Sequence, residues 1–214
     1  MKIQLQKTSE PMPASKAPFH VERRQLETYA QLLITVAKTH GLIGFDEAEV
    51  DTHIRRSLIL LEIEEVGSAT SVIDVGSGAG LPGIPIAIVS GGSKQIVLVE
   101  PRRRAVAFLE MVLRELDLEC QVTPMTAQMF ARSKMFHPAD VVLARALAEP
   151  PVAVRICAPL ARVGGAVVLT GSPLAAALDW GIDLDSYGLG EPRTSRLSGP
   201  HDITQHVHII PKVT

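Results

Sequence analysis

Short apolar runs alternate with amphipathic segments through the middle of the chain. The apolar runs predict buried strands at residues 71–75, 96–100, about 121–124, 140–144 and 165–170. The segments between them have helical spacing, at residues 83–90, 102–116, about 126–132 and 150–161. Parallel strands require crossover connections, which such helices supply. The alternation therefore predicts an α/β fold with an open, mostly parallel twisted sheet.

The segments on either side of this region have different patterns. Apolar residues recur at helical spacing over residues 21–40, Gly41 is placed to end that helix, and Asp46 is placed to cap a second helix. Residues 171–202 are rich in Gly, Pro and Ser, whereas residues 203–210 alternate as a final antiparallel strand would. We expect three parts: a flexible tail at residues 1–18, an N-terminal helical cap at 19–66, and the sheet domain at 67–214.

Composition narrows the class of protein. The chain has 214 residues, 46% of them hydrophobic and 21% charged, which suits a globular domain with a substantial core. No apolar run reaches the length of a membrane span, and Cys120 and Cys157 suit neither a disulfide framework nor a metal site. We therefore expect a cytoplasmic protein without a structural metal. The net charge of −2 means that an RNA partner would need a local basic patch, for which Arg55, Arg56 and Arg102 to Arg104 are candidates.

A glycine-rich segment follows the first predicted strand. Asp74 stands near the end of that strand, and Gly76, Gly78 and Gly80 then recur at every second position before an apolar helix. Glycines let the backbone turn sharply and approach a ligand closely, because no Cβ is in the way. The N-terminus of the helix that follows is expected to present free N–H groups, which favours an anionic ligand group.

Three ligand classes compete for this loop. A phosphate-binding P-loop is excluded because the segment lacks a closing Gly-Lys-Ser/Thr. A dinucleotide fingerprint fits only from Gly78 onward, and that register places Pro82 where backbone donors are needed. The pattern Asp-x-Gly-x-Gly-x-Gly, with Glu100 at the end of the second strand to accept the hydroxyls of a ribose, favours S-adenosylmethionine. A tight turn without any ligand remains the structural alternative.

Residues 74–85, Asp-Val-Gly-Ser-Gly-Ala-Gly-Leu-Pro-Gly-Ile-Pro, resemble the signature of the glucose-inhibited division protein B family, the bacterial small-subunit ribosomal RNA guanine-N7 methyltransferases. The resemblance continues through residues 100–109 and at Ala144-Arg145-Ala146, and extends over about residues 21–212. It implies a class I S-adenosylmethionine-dependent methyltransferase fold for residues 67–214, a role in rRNA processing, and 16S ribosomal RNA or the small ribosomal subunit as the partner.

The resemblance and the residue pattern together give a set of candidate site residues. We expect the cofactor to contact Asp74, Gly76, Ser77, Gly78, Gly80, Leu81, Glu100, Ala127, Gln128 and Arg145. On the substrate side we expect His53 and Arg145. Arg145 follows an apolar strand at the carboxyl end, where open α/β sheets place their ligands, although a structural ion pair is the alternative.

Several other motifs of the family are altered in this chain. The altered positions are Gly41, Thr52, Arg56, Thr126, Gln128 and Thr170. Most of them belong to the expected substrate side, which leaves two alternatives open beside ribosomal RNA. In the first alternative the methyl acceptor is a small molecule. In the second the chain is a catalytically inactive paralogue that binds its ligands without transferring a methyl group.

Overall fold

The computed structural model describes residues 19–171 and 181–214, and the tail predicted at residues 1–18 lies outside these ranges. Seven strands form one sheet in the order β3-β2-β1-β4-β5-β7-β6. The strands are β1 Ser71–Val75, β2 Gln95–Val99, β3 Cys120–Thr123, β4 Ala139–Arg145, β5 Ala161–Gly171, β6 Arg193–Ser198 and β7 Thr204–Pro211. Strands β1 to β5 pair in parallel, whereas β7 pairs antiparallel with both β5 and β6.

Helices cover both faces of this sheet. The α-helices are α1 Phe19–Leu32, α2 Val50–Leu58, α3 Glu64–Ser68, α4 Gly83–Ser90, α5 Arg103–Leu116, α6 Ala127–Phe130 and α7 Pro150–Cys157. A π-helical turn, Leu33–Ala37, extends α1, and 3-10 turns lie at Glu47–Glu49, Ile59–Glu62, Ala158–Leu160 and Asp185–Tyr187. The predicted open, mostly parallel α/β sheet is confirmed, as is the antiparallel last strand.

Alternate residues of the strands point into two separate cores, as the two-residue repeat of a strand requires. Val72 and Leu143 belong to a core shared with Ile84 of α4 and Phe108 of α5. Their chain neighbours Ile73, Val142 and Ala144 instead belong to a second core, which α6 and α7 cover. Because both faces are buried, the central strands are nearly continuous apolar runs, which is the pattern by which the sequence predicted them.

The N-terminal helices pack onto the first of these cores. Tyr29, Leu33 and Val50 are buried in the same cluster as the residues of β1 and α4. The backbone N–H of Asp46 donates to Glu49 Oε2 at 3.0 Å, which completes the predicted start of the second helical segment. The side chains of α2 are thereby held close to the edge of the sheet at which β1 ends.

One strand was not predicted. Strand β6 lies within the segment 171–202 that the sequence indicated only as a Gly-, Pro- and Ser-rich connection. Among the described residues it pairs with β7 alone and lies at the edge of the sheet, and its residues are partly or fully exposed. A polar edge strand lacks the apolar run that identifies a buried strand, so local composition conceals it.

Across the two described ranges, no helix is long and apolar enough to cross a membrane. Within those same residues, no group of three or more His, Cys, Asp or Glu side chains is arranged to hold a metal ion.

Candidate cofactor site and substrate-facing cluster

The parallel register brings three predicted site residues to one edge of the sheet. Val75, at the end of β1, pairs with Val99 of β2 on one side and Ala144 of β4 on the other. Asp74, Glu100 and Arg145 therefore meet at the carboxyl edge of the three central strands. This edge is where ligands bind in open α/β sheets.

Asp74 is a buried carboxyl group with one partner and one vacant acceptor. Its side chain is 1% exposed, and Oδ2 accepts a hydrogen bond from the N–H of Gly83 at 3.0 Å. Oδ1 is also buried and has no hydrogen-bond partner among the described residues. Burial raises the pKa of Asp74 to about 7, against the opposing effect of the Gly83 amide.

This arrangement corrects the expectation that the N-terminus of α4 binds an anionic ligand. The Gly83 N–H donates to Asp74, and the Ile84 N–H donates to the carbonyl of Gly80 at 2.7 Å. The acid that this helix terminus contacts is therefore a side chain of the protein itself. A ligand at this edge would meet the carboxyl group rather than free backbone donors.

The glycine loop is likewise held by internal hydrogen bonds. The N–H groups of Gly76 and Ser77 both donate to the Val99 carbonyl, and the Gly80 N–H donates to the Ser77 carbonyl. The Ser77 hydroxyl donates to the Asp74 carbonyl at 2.8 Å, so its side chain supports the loop from within. Leu81 is half-buried and packs against the first core.

Of the three glycines in the predicted motif, Gly78 is the one with space for a neighbour. A Cβ at Gly80 would lie 2.4 Å from Cγ1 of Ile84, and a Cβ at Gly76 would lie 2.7 Å from Cδ1 of Leu147. Gly80 is glycine because buried side chains pack against it, whereas at Gly76 the neighbour is the movable end of a leucine and the φ of +71° is what favours glycine. At Gly78 the nearest atom is Nη2 of Arg102 at 3.4 Å, so only a movable side chain covers this part of the loop.

Glu100 is buried, and the protein fills its acceptor sites. Oε2 accepts from the Gly78 N–H at 2.8 Å, and Oε1 accepts from the backbone N–H of Arg102 at 2.9 Å. The Arg102 guanidinium adds a second bond to each oxygen, from Nε to Oε1 at 2.9 Å and from Nη2 to Oε2 at 3.3 Å. Despite its burial, the bonds from Arg102 and Gly78 leave the pKa of Glu100 below its usual value.

Ala127 and Gln128 begin α6, directly after β3. The Thr126 hydroxyl caps this helix by accepting from the Met129 N–H at 3.3 Å. Ala127 is buried and Gln128 is exposed. Because β3 is the neighbour of β2, these residues lie at the same edge of the sheet as Glu100.

On the other side of Asp74, Arg145 contacts His53 of α2. The Arg145 guanidinium is hydrogen-bonded through Nη2 to His53 Nδ1, and the Phe45 ring packs against the imidazole at a tilt of 38°, with ring centroids 3.9 Å apart. Burial lowers the pKa of His53 to about 4, and the charges of Arg145 and Arg56 add to that effect. Because arginine only donates, Nδ1 must accept, so the imidazole is neutral with its proton on Nε2. The two predicted substrate-side residues are thus in direct contact.

One residue of this cluster was not identified from the sequence, and a second was considered there only as part of a basic patch and as an altered family position. Tyr29 of α1 is fully buried, and its hydroxyl donates to the carbonyl of Ala79 in the glycine loop at 2.7 Å. Arg56 has a buried Nε without a hydrogen-bond partner among the described residues, and its charge lowers the pKa of Arg145. Tyr29 fits a helical apolar pattern and carried no signal of its own, whereas Arg56 was expected as a member of the basic patch and not as a neighbour of Arg145.

Known proteins of one family are similar to this chain over most of its length. It matches the family described as rRNA small subunit methyltransferase G over residues 22–175. Ribosomal RNA small subunit methyltransferase G of Corynebacterium jeikeium is 34% identical over 211 residues, which cover 97% of this chain and 94% of the relative. The protein of the same description from Salinispora tropica is 37% identical over 77% of this chain and 70% of its own length.

Solved structures agree on the fold. Cofactor-bound Rv0187 from MTB superposes with a TM-score of 0.55 at 16% identity, covering 92% of this chain and 90% of that one. TrmN from Thermus thermophilus superposes with a TM-score of 0.56 at 14% identity, covering 77% of this chain and 53% of that one. The sheet, the glycine segment and the similarity over almost the whole length lead to one conclusion: the chain belongs to the rRNA small subunit methyltransferase G family.

Proposed function

We propose that this protein transfers a methyl group from S-adenosylmethionine to N7 of a guanine in 16S ribosomal RNA. The observation that carries the proposal is the contact between Arg145 and His53 beside the buried Asp74, at the edge of the sheet where ligands bind. Membership of the family supports both the donor and the ribosomal acceptor.

S-adenosylmethionine is the methyl donor of this family, and the chain offers fitting groups for its ammonium, its ribose and its adenine. Asp74 Oδ1 is a buried acceptor that lacks a partner, which suits the ammonium of the methionine moiety. Gly78 gives a backbone surface without a side chain, and Glu100 suits the ribose hydroxyls. Ala127 and Gln128 would flank the adenine, with the Gln128 amide available for a polar contact.

The bound cofactor supplies an electrophilic methyl group for an in-line displacement. N7 of guanine carries a free lone pair, so this acceptor requires no general base. In the described part of the cluster, His53 has no free nitrogen lone pair to act as one, because its Nδ1 already accepts from Arg145. We assign Arg145 to donate to O6 of the guanine, next to N7 on the same edge. His53 and Phe45 orient Arg145, and positioning of this kind supplies much of the catalytic effect.

The same proposal gives roles to the larger parts of the chain. Residues 19–66 act as a cap that carries His53 and ties itself to the glycine loop through Tyr29, while residues 67–214 hold the cofactor. The partner is the small ribosomal subunit or its RNA, which implies action in the cytoplasm. The tail at residues 1–18 has no assigned role.

The test is methyl transfer to small ribosomal subunits purified from a strain that lacks the guanine-N7 methylase. We expect labelled methyl groups in 16S RNA, with 7-methylguanine identified by mass spectrometry of the digested RNA. Arg145→Met should lower the rate at least about a hundredfold, because the guanine loses its orientation. Arg155→Met, which removes an exposed arginine from α7, is the matched control and should leave the rate unchanged.

A second acceptor class has one observation in its favour. Arg56 and Arg145 form no ion pair with any acid in the described ranges, and the Thr170 hydroxyl, opposite Arg145 in β5, is buried without a partner. Such a cluster suits a small anionic acceptor. Transfer of label to an RNase-resistant, low-molecular-weight product would support the small acceptor. If neither ribosomal RNA nor a small molecule is methylated, the chain is a binding protein without methyltransferase activity.

A further inference from the structure

We propose that Arg102 competes with the cofactor ribose for Glu100 and thereby sets the affinity for S-adenosylmethionine and its product. The inference rests on the proposed function, since it concerns the same carboxylate. Its basis is the way in which donors are distributed over the two oxygens of Glu100.

A carboxylate accepts about four hydrogen bonds in its plane, two at each oxygen. Backbone groups take one position on each oxygen of Glu100: the Gly78 N–H binds Oε2 at 2.8 Å, and the Arg102 N–H binds Oε1 at 2.9 Å. The remaining two positions are taken by Nε and Nη2 of the Arg102 side chain. A vicinal ribose diol presents two parallel donors to one carboxylate, so it requires the same two positions as the guanidinium.

The Arg102 guanidinium also lies over the part of the loop that the cofactor would approach. Its Nη2 is the nearest atom to the position of a Cβ on Gly78, at 3.4 Å. Binding of the ribose at Glu100 therefore requires the guanidinium to leave both the carboxylate and the loop. The backbone donors can stay, so the carboxylate keeps its orientation while the side chain is exchanged.

The side chain is able to leave. The Glu100 side chain is 2% exposed, whereas that of Arg102 is 62% exposed, so the arginine reaches in from solvent and can return to it. Ion pairs in which one partner is solvent-exposed are screened by water and contribute modestly to binding energy, and the bidentate geometry strengthens this one. We therefore expect the competition to weaken cofactor binding by a factor between about two and ten.

The experiment is calorimetric titration of S-adenosylhomocysteine into the full chain at pH 8, with Arg102→Ala compared with wild type. We expect the variant to bind about two- to tenfold more tightly. Arg103→Ala removes the same charge from the next, exposed position and should bind like wild type. Raising the salt concentration from about 0.05 M to about 0.5 M should strengthen binding by wild type, because salt screens the ion pair, and should leave Arg102→Ala unchanged.

Equal or weaker binding by Arg102→Ala, with Arg103→Ala unchanged, would overturn the inference and indicate that Arg102 holds the cofactor. If no protein binds S-adenosylhomocysteine, the cofactor assignment itself fails, and that result is distinct from the first. If Arg102→Ala does not fold, Arg102→Met is titrated instead, because it retains the aliphatic part of the side chain without the hydrogen-bond donors.

Discussion

Replacing Asp74 by Asn should remove a pH-dependent loss of stability. The carboxyl group is 1% exposed, one of its oxygens has no partner in the described part of the protein, and burial raises its pKa from the usual 3.8 to about 7. The folded protein therefore keeps the proton up to about pH 7, whereas the unfolded chain loses it near pH 4. The free energy of unfolding must then fall as the pH rises through this window.

The magnitude follows from the pKa. A rise from 3.8 to about 7 corresponds to about 4 kcal/mol in total, of which roughly 3 kcal/mol falls between pH 5 and pH 8. Urea unfolding of wild type and Asp74→Asn at pH 5 and pH 8 measures this quantity. The stability of wild type relative to the variant should fall by about 3 kcal/mol between the two pH values.

Asp140→Asn is the control with the opposite electrostatics. Asp140 accepts from the backbone N–H groups of Thr70 and Ser71 and pairs with Arg162 Nε at 2.5 Å. Partial burial alone would raise the pKa of Asp140, but these hydrogen bonds outweigh burial and hold the pKa well below its usual range. The carboxylate is thus ionised in both states at pH 5 and pH 8, so this variant should lose about 2 kcal/mol equally at both. Parallel pH dependence for wild type and Asp74→Asn would refute the reasoning on Asp74.

Three further changes test other parts of the site. Tyr29→Phe leaves the buried Ala79 carbonyl without its donor, and urea unfolding should show a loss of about 1–2 kcal/mol; no loss would mean that water or another donor replaces the hydroxyl. The imidazole resonances of His53, assigned by NMR with His53→Gln, should titrate near pH 4, and a midpoint near 6.5 would contradict the burial of the ring beside Arg145. Gly80→Ala places a Cβ 2.4 Å from Ile84 Cγ1 at a φ of +96°, so it should cost about 3 kcal/mol; Gly91→Ala, at a φ of +53° with no atom within 4 Å, measures the backbone cost alone.

Local patterns in the sequence predicted much of the fold. Strand β1, the glycine loop and α4 follow one another within 20 residues, and each has a composition that favours only one structure. The parallel strands are buried on both faces, so their apolar runs were visible without knowledge of their neighbours. The glycines, Asp74 and Glu100 were predicted as site residues for the same reason, since each stands at or just after a strand end that the sequence marks.

Only the tertiary structure decided which groups are available to a ligand. His53 and Arg145 are 92 positions apart in the chain, and the packing of α2 against the sheet brings them into contact. The sequence favoured a free helix terminus at α4, but Asp74 already occupies it, because the first turn of α4 folds back over the end of β1. Arg102 had the pattern of a solvated helix residue, and although Glu100 is only two positions away, the sequence did not show that the arginine side chain turns back onto that carboxylate.

The difference between what the sequence determined and what only the tertiary structure decided has a physical cause. Hydrophobic periodicity and glycine spacing are properties of neighbouring residues, so they are present in the sequence before the chain folds. The polar edge strand β6, the Tyr29 bond to the glycine loop and the charges around Arg145 arise from pairings between distant segments. The sequence alone determined the buried strands and the location of the glycine loop, whereas long-range packing determined the partners of Tyr29, His53 and Arg145 around it.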